Sequence, residues 1–177
     1  MKALKIIGLT LLGIVAISLL AAAFMKKEYL IEREITINKP RQEVFDYIKM
    51  IKNQDNFSKW NKADPAMKKE FSGTDGTVGF IYKWDGNDEV GAGEQEITKI
   101  TDGERIDLDL RFKRPFENNV KTYFATETVS ATSTKVTWAM YGESSYPMNL
   151  LNGMMEGMLG DDLETSLNDL KTQLEKR

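Results

Sequence analysis

Six segments in which apolar and polar side chains alternate with a period of two follow one another in the middle of the chain. They span residues 67–72, 78–84, 90–100, 105–112, 120–130 and 135–143. Most of the connections between them are short and rich in Gly, Asp, Asn, Ser or Thr, and such turns join antiparallel neighbours. A seventh alternating segment, residues 29–37, comes before two short stretches with helical periodicity. The sequence therefore predicts a seven-stranded antiparallel sheet.

One face of this sheet is strongly apolar. Its members recur at every second position: Val78, Phe80, Tyr82, Trp84, Ile106, Leu108, Leu110, Phe112, Val136, Trp138 and Met140. Residues 147–177 contain no proline after the first position and carry leucines at helical spacing, so we expect one long C-terminal helix there. At roughly 40 Å, this helix is long enough to cover the apolar face. An α+β fold with a curved sheet around the helix follows.

The two halves of the predicted helix differ in composition. In the second half, Leu163, Leu167, Leu170 and Leu174 form one apolar stripe beside a charged face. The first half mixes apolar side chains with glycines, and its members are Met148, Leu150, Leu151, Gly153, Met154, Met155, Gly157, Met158, Leu159 and Gly160. Three glycines inside a helix cost about 3 kcal/mol. At about 100° per residue, the first stripe is rotated by roughly 110° from the second.

Two interpretations of the first half are open. Close packing on the sheet, or a break at Gly160 with a new helix starting at Asp161, would account for the glycines without a ligand. Alternatively, flexible methionine side chains over bare backbone form an adaptable surface, which suits a pocket for apolar molecules of several shapes.

The first 27 residues have the composition of a membrane segment. Residues 6–24 are all apolar or small and are flanked by lysines, and a helix of this length crosses a bilayer core of about 30 Å. A cleaved signal peptide is the alternative, because Ala21, Ala22 and Ala23 provide a small-residue site. The length of the apolar run favours an uncleaved anchor. We predict a single-pass anchor in residues 1–27 and an extracytoplasmic domain in residues 28–177.

The composition also excludes several kinds of site. The chain has no Cys and no His, so disulfides, thiolate zinc sites and imidazole bases are excluded, and we predict no metal and no cofactor. Residues 1–27 hold four lysines and no acid, so residues 28–177 carry a formal charge of −7 and would repel nucleic acid. The basic and aromatic tip at residues 113–116 is interpreted as a solvated loop, with contact to lipid headgroups as the alternative.

Several short stretches carry a family resemblance in their order and spacing. They are Ile35-Thr36-Ile37-Asn38-Lys39-Pro40, Val44-Phe45-Asp46-Tyr47-Ile48, Trp60, Tyr82-Lys83-Trp84, Phe112-Lys113-Arg114-Pro115-Phe116, Lys135-Val136-Thr137-Trp138 and Leu167-Asn168-Asp169-Leu170-Lys171. Together they resemble the START-like, or SRPBCC, superfamily in its polyketide cyclase/dehydrase-like branch. The resemblance implies a helix-grip fold with a cavity between sheet and C-terminal helix that takes lipids, polyketides or other apolar molecules. No catalytic motif carries over.

We expect a ligand to lie between the aromatic face of the sheet and the methionine-rich half of the helix. The candidate ligand-binding residues are Trp60, Phe80, Tyr82, Trp84, Phe112, Trp138, Met140, Met154 and Met158. Glu94 and Glu96 share a strand face and are weak candidates for a paired-carboxylate acid–base site. The alternative is that they face solvent while Gln95 and Ile97 face inward.

Three functions therefore remain open from the sequence. The first is a membrane-anchored module that binds a hydrophobic small molecule or lipid. The second is a cyclase- or dehydratase-type enzyme that uses Glu or Tyr as acid and base. The third is a non-catalytic envelope interaction domain with a filled core. The sequence identifies no protein partner.

Overall fold

Seven antiparallel strands form one curved sheet in the computed structural model, which describes residues 2–176. The strands are β1 (Glu28–Ile37), β2 (Lys68–Ser72), β3 (Ile81–Asp85), β4 (Ala92–Thr101), β5 (Arg105–Arg114), β6 (Asn118–Ser130) and β7 (Ser133–Glu143). Their order in the sheet is β1-β7-β6-β5-β4-β3-β2, so each strand from β2 to β7 lies next to its neighbour in sequence. Register shifts between β4 and β5 mark bulges, which increase the bend of a sheet. The predicted seven-stranded helix-grip fold is confirmed.

Within residues 2–176, four α-helices and two 3₁₀ helices complete the fold. They are α1 (Lys2–Phe24), α2 (Arg41–Ile48), a 3₁₀ helix (Ile51–Asn56), α3 (Lys59–Ala63), a second 3₁₀ helix (Met148–Leu151) and α4 (Asn152–Glu175). α4 runs through Gly160 without interruption, which excludes the alternative of a break at that residue. A Cβ at Gly160 would overlap the guanidinium group of Arg33 on β1, so this glycine does serve close packing between helix and sheet.

The strand register brings several strand ends and their connections to one end of the sheet, which we call the anchor end after the anchor predicted in residues 1–27. The start of β1 pairs with the end of β7 through Glu28 and Glu143. The turn between β5 and β6 and the loop between β3 and β4 lie at this same end, because Phe112 pairs with Asn118 and Asp85 pairs with Ala92. α1 joins β1 here through a connection of only a few residues.

The core fills the half of the inner sheet face that is remote from the anchor end. There the leucines of α4 and the apolar side of α2 pack against buried strand residues. These strand residues are Ile37, Phe80, Ile97, Ile106, Leu108, Phe124 and Val136. Because this half is solid, any open space inside the domain has to lie towards the anchor end.

The predicted third strand begins three residues too early. Gly79 has φ +86°, a left-handed conformation that turns the chain just before β3. Val78 is therefore 59% exposed, whereas Phe80 is buried in the core.

α1 has the properties of a membrane-spanning helix by length and composition. Its segment Lys5–Phe24 has a mean hydropathy of 2.6, and only 6% of the most apolar stretch is buried. A soluble protein does not usually leave such a surface uncovered, because exposed apolar patches of this size mark contacts with another phase or partner.

Candidate ligand-binding site

A partly open cavity of about 280 Å³ lies between the sheet, α3 and the first half of α4. Its walls are mostly apolar and come from three groups of residues. The inner sheet face supplies Tyr29, Tyr82, Trp84, Gln95, Leu110, Phe112, Val120, Thr122, Phe124, Trp138 and Met140. The helices and their connections supply Gln54, Ser58, Trp60, Asn61, Met67, Met155 and Leu159. The rim is formed by Glu89, Val90, Arg114, Pro115 and Asn118.

Six of the nine candidates from the sequence line this cavity. They are Trp60, Tyr82, Trp84, Phe112, Trp138 and Met140. Phe80 faces inward as its parity requires, but it lies further from the anchor end, where it stacks on Phe71 at 6.1 Å between ring centroids. Phe80 therefore belongs to the core and not to the cavity wall.

The assignment of Met154 and Met158 to the pocket is corrected by the structure. Both side chains point away from the sheet and are 63% and 65% exposed. Met155 and Leu159 take their place as the side chains of α4 that line the cavity. The sequence contained a signal for this, because steps of four residues backward from the buried Leu163 lead to Leu159 and then to Met155.

The indole of Trp138 forms the centre of the cavity wall and is held from several sides. Its Nε1 donates a hydrogen bond to Oγ1 of Thr122 at 3.0 Å, and that hydroxyl donates to the carbonyl of Ala139 at 2.7 Å. The ring lies 4.4 Å from that of Phe124 and 5.8 Å from that of Trp60, measured between centroids. The polar edge of the indole is therefore satisfied, and its apolar surface remains available.

A glycine on β4 creates the space for a second tryptophan. A Cβ at Gly93 would lie 2.7 Å from the ring of Trp84 and 2.6 Å from the carbonyl oxygen of Arg111. Only a residue without a side chain leaves room for the indole to lie against the strand. Trp84 in turn meets Phe112 edge to face at 5.7 Å.

One amide that lines the cavity has a nitrogen without a hydrogen-bond partner. Nε2 of Gln54 is fully buried and has no partner within residues 2–176. Leaving a buried amide unpaired costs about 1–3 kcal/mol, so a ligand acceptor that this side chain turned to meet would be favourable.

The tyrosines of the wall are neutral hydrogen-bonding groups. Burial raises the pKa of Tyr82 far above its ordinary value, and the nearby Asp55 carboxylate raises it further. Burial also raises the pKa of Tyr29. The Tyr82 hydroxyl donates to Sδ of Met67 at 3.7 Å, which is a weak acceptor, and the side chain of Asn61 also interacts with this hydroxyl. Charged side chains that line the cavity, Glu89 and Arg114, are confined to the rim.

The rim lies at the anchor end and is built from two loops tied to each other. Arg114 donates hydrogen bonds to the Asp85 carboxylate at 2.6 Å and to the carbonyl of Gly86 at 2.9 Å. Between these positions Gly91 adopts φ +70° and passes close to the backbone of Arg114. These contacts hold Val90 and Pro115 at the opening.

Glu94 and Glu96 lie on the outer face of β4, away from the cavity. Arg111 bridges them, with Nε 2.7 Å from the carboxylate of Glu94 and a terminal nitrogen 2.6 Å from that of Glu96. The hydrogen bond from Arg111 holds the pKa of Glu94 below its ordinary value, so this carboxylate is a poor proton acceptor. Gln95 and Ile97 take the inner face, and the carboxylate pair has no access to a ligand in the cavity.

A sequence comparison matches residues 30–175 to the family described as polyketide cyclase/dehydrase and lipid transport. No curated protein matches the chain. Among solved structures, the Zhui aromatase/cyclase from a Streptomyces species is similar with a TM-score of 0.62 and 12% identity, over 85% of this chain and 95% of that one. A Mesorhizobium loti protein is similar with a TM-score of 0.60 and 14% identity, over 84% of this chain and 98% of that one. A Nitrosospira multiformis protein is similar with a TM-score of 0.57 and 17% identity, over 84% of this chain and 100% of that one. At these identities the similarity to solved structures concerns the fold alone.

Proposed function

The chain belongs to the polyketide cyclase/dehydrase and lipid transport family, and from that premise we propose that it binds a hydrophobic small molecule or a lipid chain in the cavity. The observation that carries this proposal is the mostly apolar cavity of about 280 Å³ between Trp138, Tyr82 and Met155. A close-packed domain has few voids larger than a water molecule, so a cavity of this size calls for an occupant. Its presence argues against the filled-core alternative.

The chemistry of the wall narrows the class of ligand. The volume lies near the lower end of the range of about 300–1,000 Å³ for small-molecule pockets, so a compact molecule or part of a longer chain would fit. Most of the ligand would be apolar, because aromatic and aliphatic side chains surround it. One hydrogen-bonding group, such as a carbonyl, hydroxyl or protonated carboxyl, would meet the free amide of Gln54.

We further propose that residues 1–27 anchor the chain in a membrane and that residues 28–177 form the binding domain on the extracytoplasmic side. The exposed apolar surface of α1 supports the anchor. The alternative of an enzyme with Glu94 and Glu96 as acid and base loses support, because both lie on the outer face.

Ligand binding can be tested with the tryptophans of the chain. All three, Trp60, Trp84 and Trp138, line the cavity, so their fluorescence reports entry of a quencher. The full chain in vesicles of phosphatidylcholine would be titrated with a fatty acid brominated on its acyl chain. We expect saturable quenching that unbrominated fatty acid reverses; quenching that rises linearly without saturation would contradict a binding site.

Two matched variants show whether the quenching comes from the cavity. Leu159→Phe places extra volume inside, whereas Met158→Phe adds the same ring at the neighbouring exposed position. We expect the first variant to weaken binding about tenfold or more, since overpacking costs typically 1–3 kcal/mol, and the second to bind like the unmodified chain. Equal affinities would place the ligand elsewhere.

The role of Gln54 can be tested separately. Gln54→Leu removes a buried amide that lacks a partner, so we expect the ligand-free domain to gain about 1 kcal/mol in stability. The same change should weaken binding of the fatty acid about tenfold, with a smaller effect on a brominated alkane that has no polar group. If Gln54→Leu instead lowered the stability and weakened binding of the fatty acid and of the alkane equally, the amide would have a structural role.

A further inference from the structure

We infer that part of the soluble domain lies in the surface of the bilayer that α1 spans, so that the cavity loads from lipid; this rests on the anchoring proposed above. The part concerned is the exposed apolar side of the second 3₁₀ helix and of the first turns of α4. It is formed by Met148, Leu151, Met154 and Met158 and is called the methionine face. These side chains are 57%, 43%, 63% and 65% exposed.

The composition of this segment suits a lipid surface. Residues 146–160 contain a single charged residue, Glu156, whereas residues 161–176 of the same helix contain seven. Gly153 and Gly157 have nothing within 4 Å of the position of a Cβ, so packing inside the domain does not explain them. An amphipathic helix that lies in a bilayer interface has one apolar face without partners in the protein, which is what these turns present.

Hydrogen bonds fix the methionine face to the end of α1. Asn149 is fully buried, and its Nδ2 donates to the carbonyls of Ala22 at 2.7 Å and Met25 at 3.1 Å. Asn152 donates to the carbonyls of Lys26 and Lys27, each at 3.3 Å. Carbonyls at the end of a helix lack some of their partners within it, and here the two asparagines donate to carbonyls in the last turn of α1 and in the connection that follows it. These hydrogen bonds hold the methionine face against the end of α1.

The segment touches α1 within the predicted span and not only at its end, which supports a position at the membrane surface. The hydroxyl of Tyr146 donates to the carbonyl of Leu19 at 3.3 Å. Leu19 lies five residues before the end of α1 at Phe24, which corresponds to about 7 Å along the helix axis. If residues 6–24 occupy the hydrocarbon core, Tyr146 and the adjoining Met148 lie at the level of the last turns of the span. Interfacial helices bury their apolar faces by about 5–10 Å, and tyrosine is enriched at this level.

The methionine face borders the cavity. Met155 and Leu159 line it and lie about 100° around the helix from Met154 and Met158. The opposite rim, with Val90 and Pro115, is at the same end of the sheet as the junction with α1. An apolar molecule in the bilayer would therefore pass from the methionine face into the cavity without crossing water.

Spin labels can measure where the face lies, because the chain has no cysteine of its own. Single variants Met154→Cys and Met158→Cys would be labelled in the full chain and placed in vesicles of phosphatidylcholine and phosphatidylglycerol. Leu12→Cys reports on α1, Glu164→Cys on the charged part of α4, and Val129→Cys on an exposed apolar position at the other end of the sheet. Collision with oxygen, which concentrates in lipid, is compared with collision with a water-soluble nickel chelate.

We expect the ratio of oxygen to nickel collisions at positions 154 and 158 to approach that at position 12 and to exceed that at positions 164 and 129 several-fold. Ratios at 154 and 158 equal to those at 164 would overturn the inference while leaving the anchor intact. Shielding from both reagents with dipolar coupling between copies would show a second copy of the chain on the face, and would also overturn it. A water-exposed label at position 12 would overturn the anchor and this inference together, whereas tryptophan quenching tests the cavity independently.

Discussion

The two halves of the C-terminal helical segment both carry large apolar side chains and use them in opposite ways. In the leucine half, Leu163, Leu167 and Leu170 are at most 1% exposed and complete the core. In the methionine half, Met154 and Met158 are 63% and 65% exposed. The difference shows that an apolar side chain is not buried merely because it is apolar. Its position around the helix axis decides whether it faces the sheet.

The two halves are also attached by different contacts. The leucine half is joined to α3 by ion pairs of Lys59 with Asp162 and of Lys62 with Asp169. For the methionine half, no ion pair is found among the residues that the structure describes. Its attachments are amide hydrogen bonds from Asn149 and Asn152 to the end of α1. The leucine half thus packs into the domain, while the methionine half connects the cavity wall to the end of α1.

The sharpest test of this comparison is truncation of one large side chain in each half. Leu167→Ala should lower the free energy of unfolding by about 2–5 kcal/mol, since it leaves a hole in a packed core. Met154→Ala should change it by less than about 0.5 kcal/mol. Urea unfolding of the full chain in mild detergent, followed by tryptophan fluorescence, measures both values. Similar losses for the two variants would mean that the methionine half is packed after all.

A second test asks whether the methionine half serves exchange with lipid. Met154→Glu combined with Met158→Glu should slow transfer of a brominated fatty acid from vesicles about tenfold, equivalent to about 1.4 kcal/mol, because carboxylates resist entry into the interface. The equilibrium affinity measured in detergent should stay unchanged. Val129→Glu, at the remote end of the sheet, is the matched control. Equal transfer rates for the control and the double variant would mean that the methionine face takes no part in ligand exchange.

Much of the fold followed from local patterns, since alternation and turn residues identify antiparallel strands and leucine spacing identifies the closing helix. Strand parity also brought Tyr82, Trp84 and Trp138 correctly to the inner face. The alternation of a strand shows which face a residue lies on, but not how far along the sheet it lies. For this reason Phe80, which faces inward, was wrongly predicted to line the pocket. On a helix, a shift of one residue turns a side chain by about 100°, which separates Met154 from Met155.

Gln54 shows where prediction from the sequence ends. It lies in a 3₁₀ helix of six residues, too short to carry a periodic signal. It lines the cavity in the assembled fold, where the neighbouring Phe57 packs against Trp138 with 6.0 Å between ring centroids. The attachment of Asn149 to α1 is similar, since it joins residues 127 positions apart. Contacts of this kind depend on the assembled fold and have no local pattern.

The glycines provide a third, smaller test of the comparison. Gly157→Ala should stabilise the domain by about 1 kcal/mol, because alanine favours the helix and nothing occupies the space of the new methyl group. Gly160→Ala should give less than half of this gain or a loss, because Arg33 has to move away from the helix. Unfolding of both variants in urea measures the difference. A larger gain for Gly160→Ala would show that close packing at that position is unimportant.

The smallest expected effect concerns the charges on the two halves. Asp169→Asn removes the partner of Lys62, whose nitrogen lies 2.8 Å away, and should cost about 0.2–1 kcal/mol, as exposed ion pairs do. Glu156→Gln, the matched change in the methionine half, should leave the free energy of unfolding unchanged in detergent, since no ion pair of Glu156 is found within residues 2–176. Unfolding at low and high salt distinguishes the two, because screening should remove only the cost of Asp169→Asn. A salt-dependent loss at Glu156 instead would mean that the methionine half is held by charge, and its attachment to the domain would then resemble that of the leucine half.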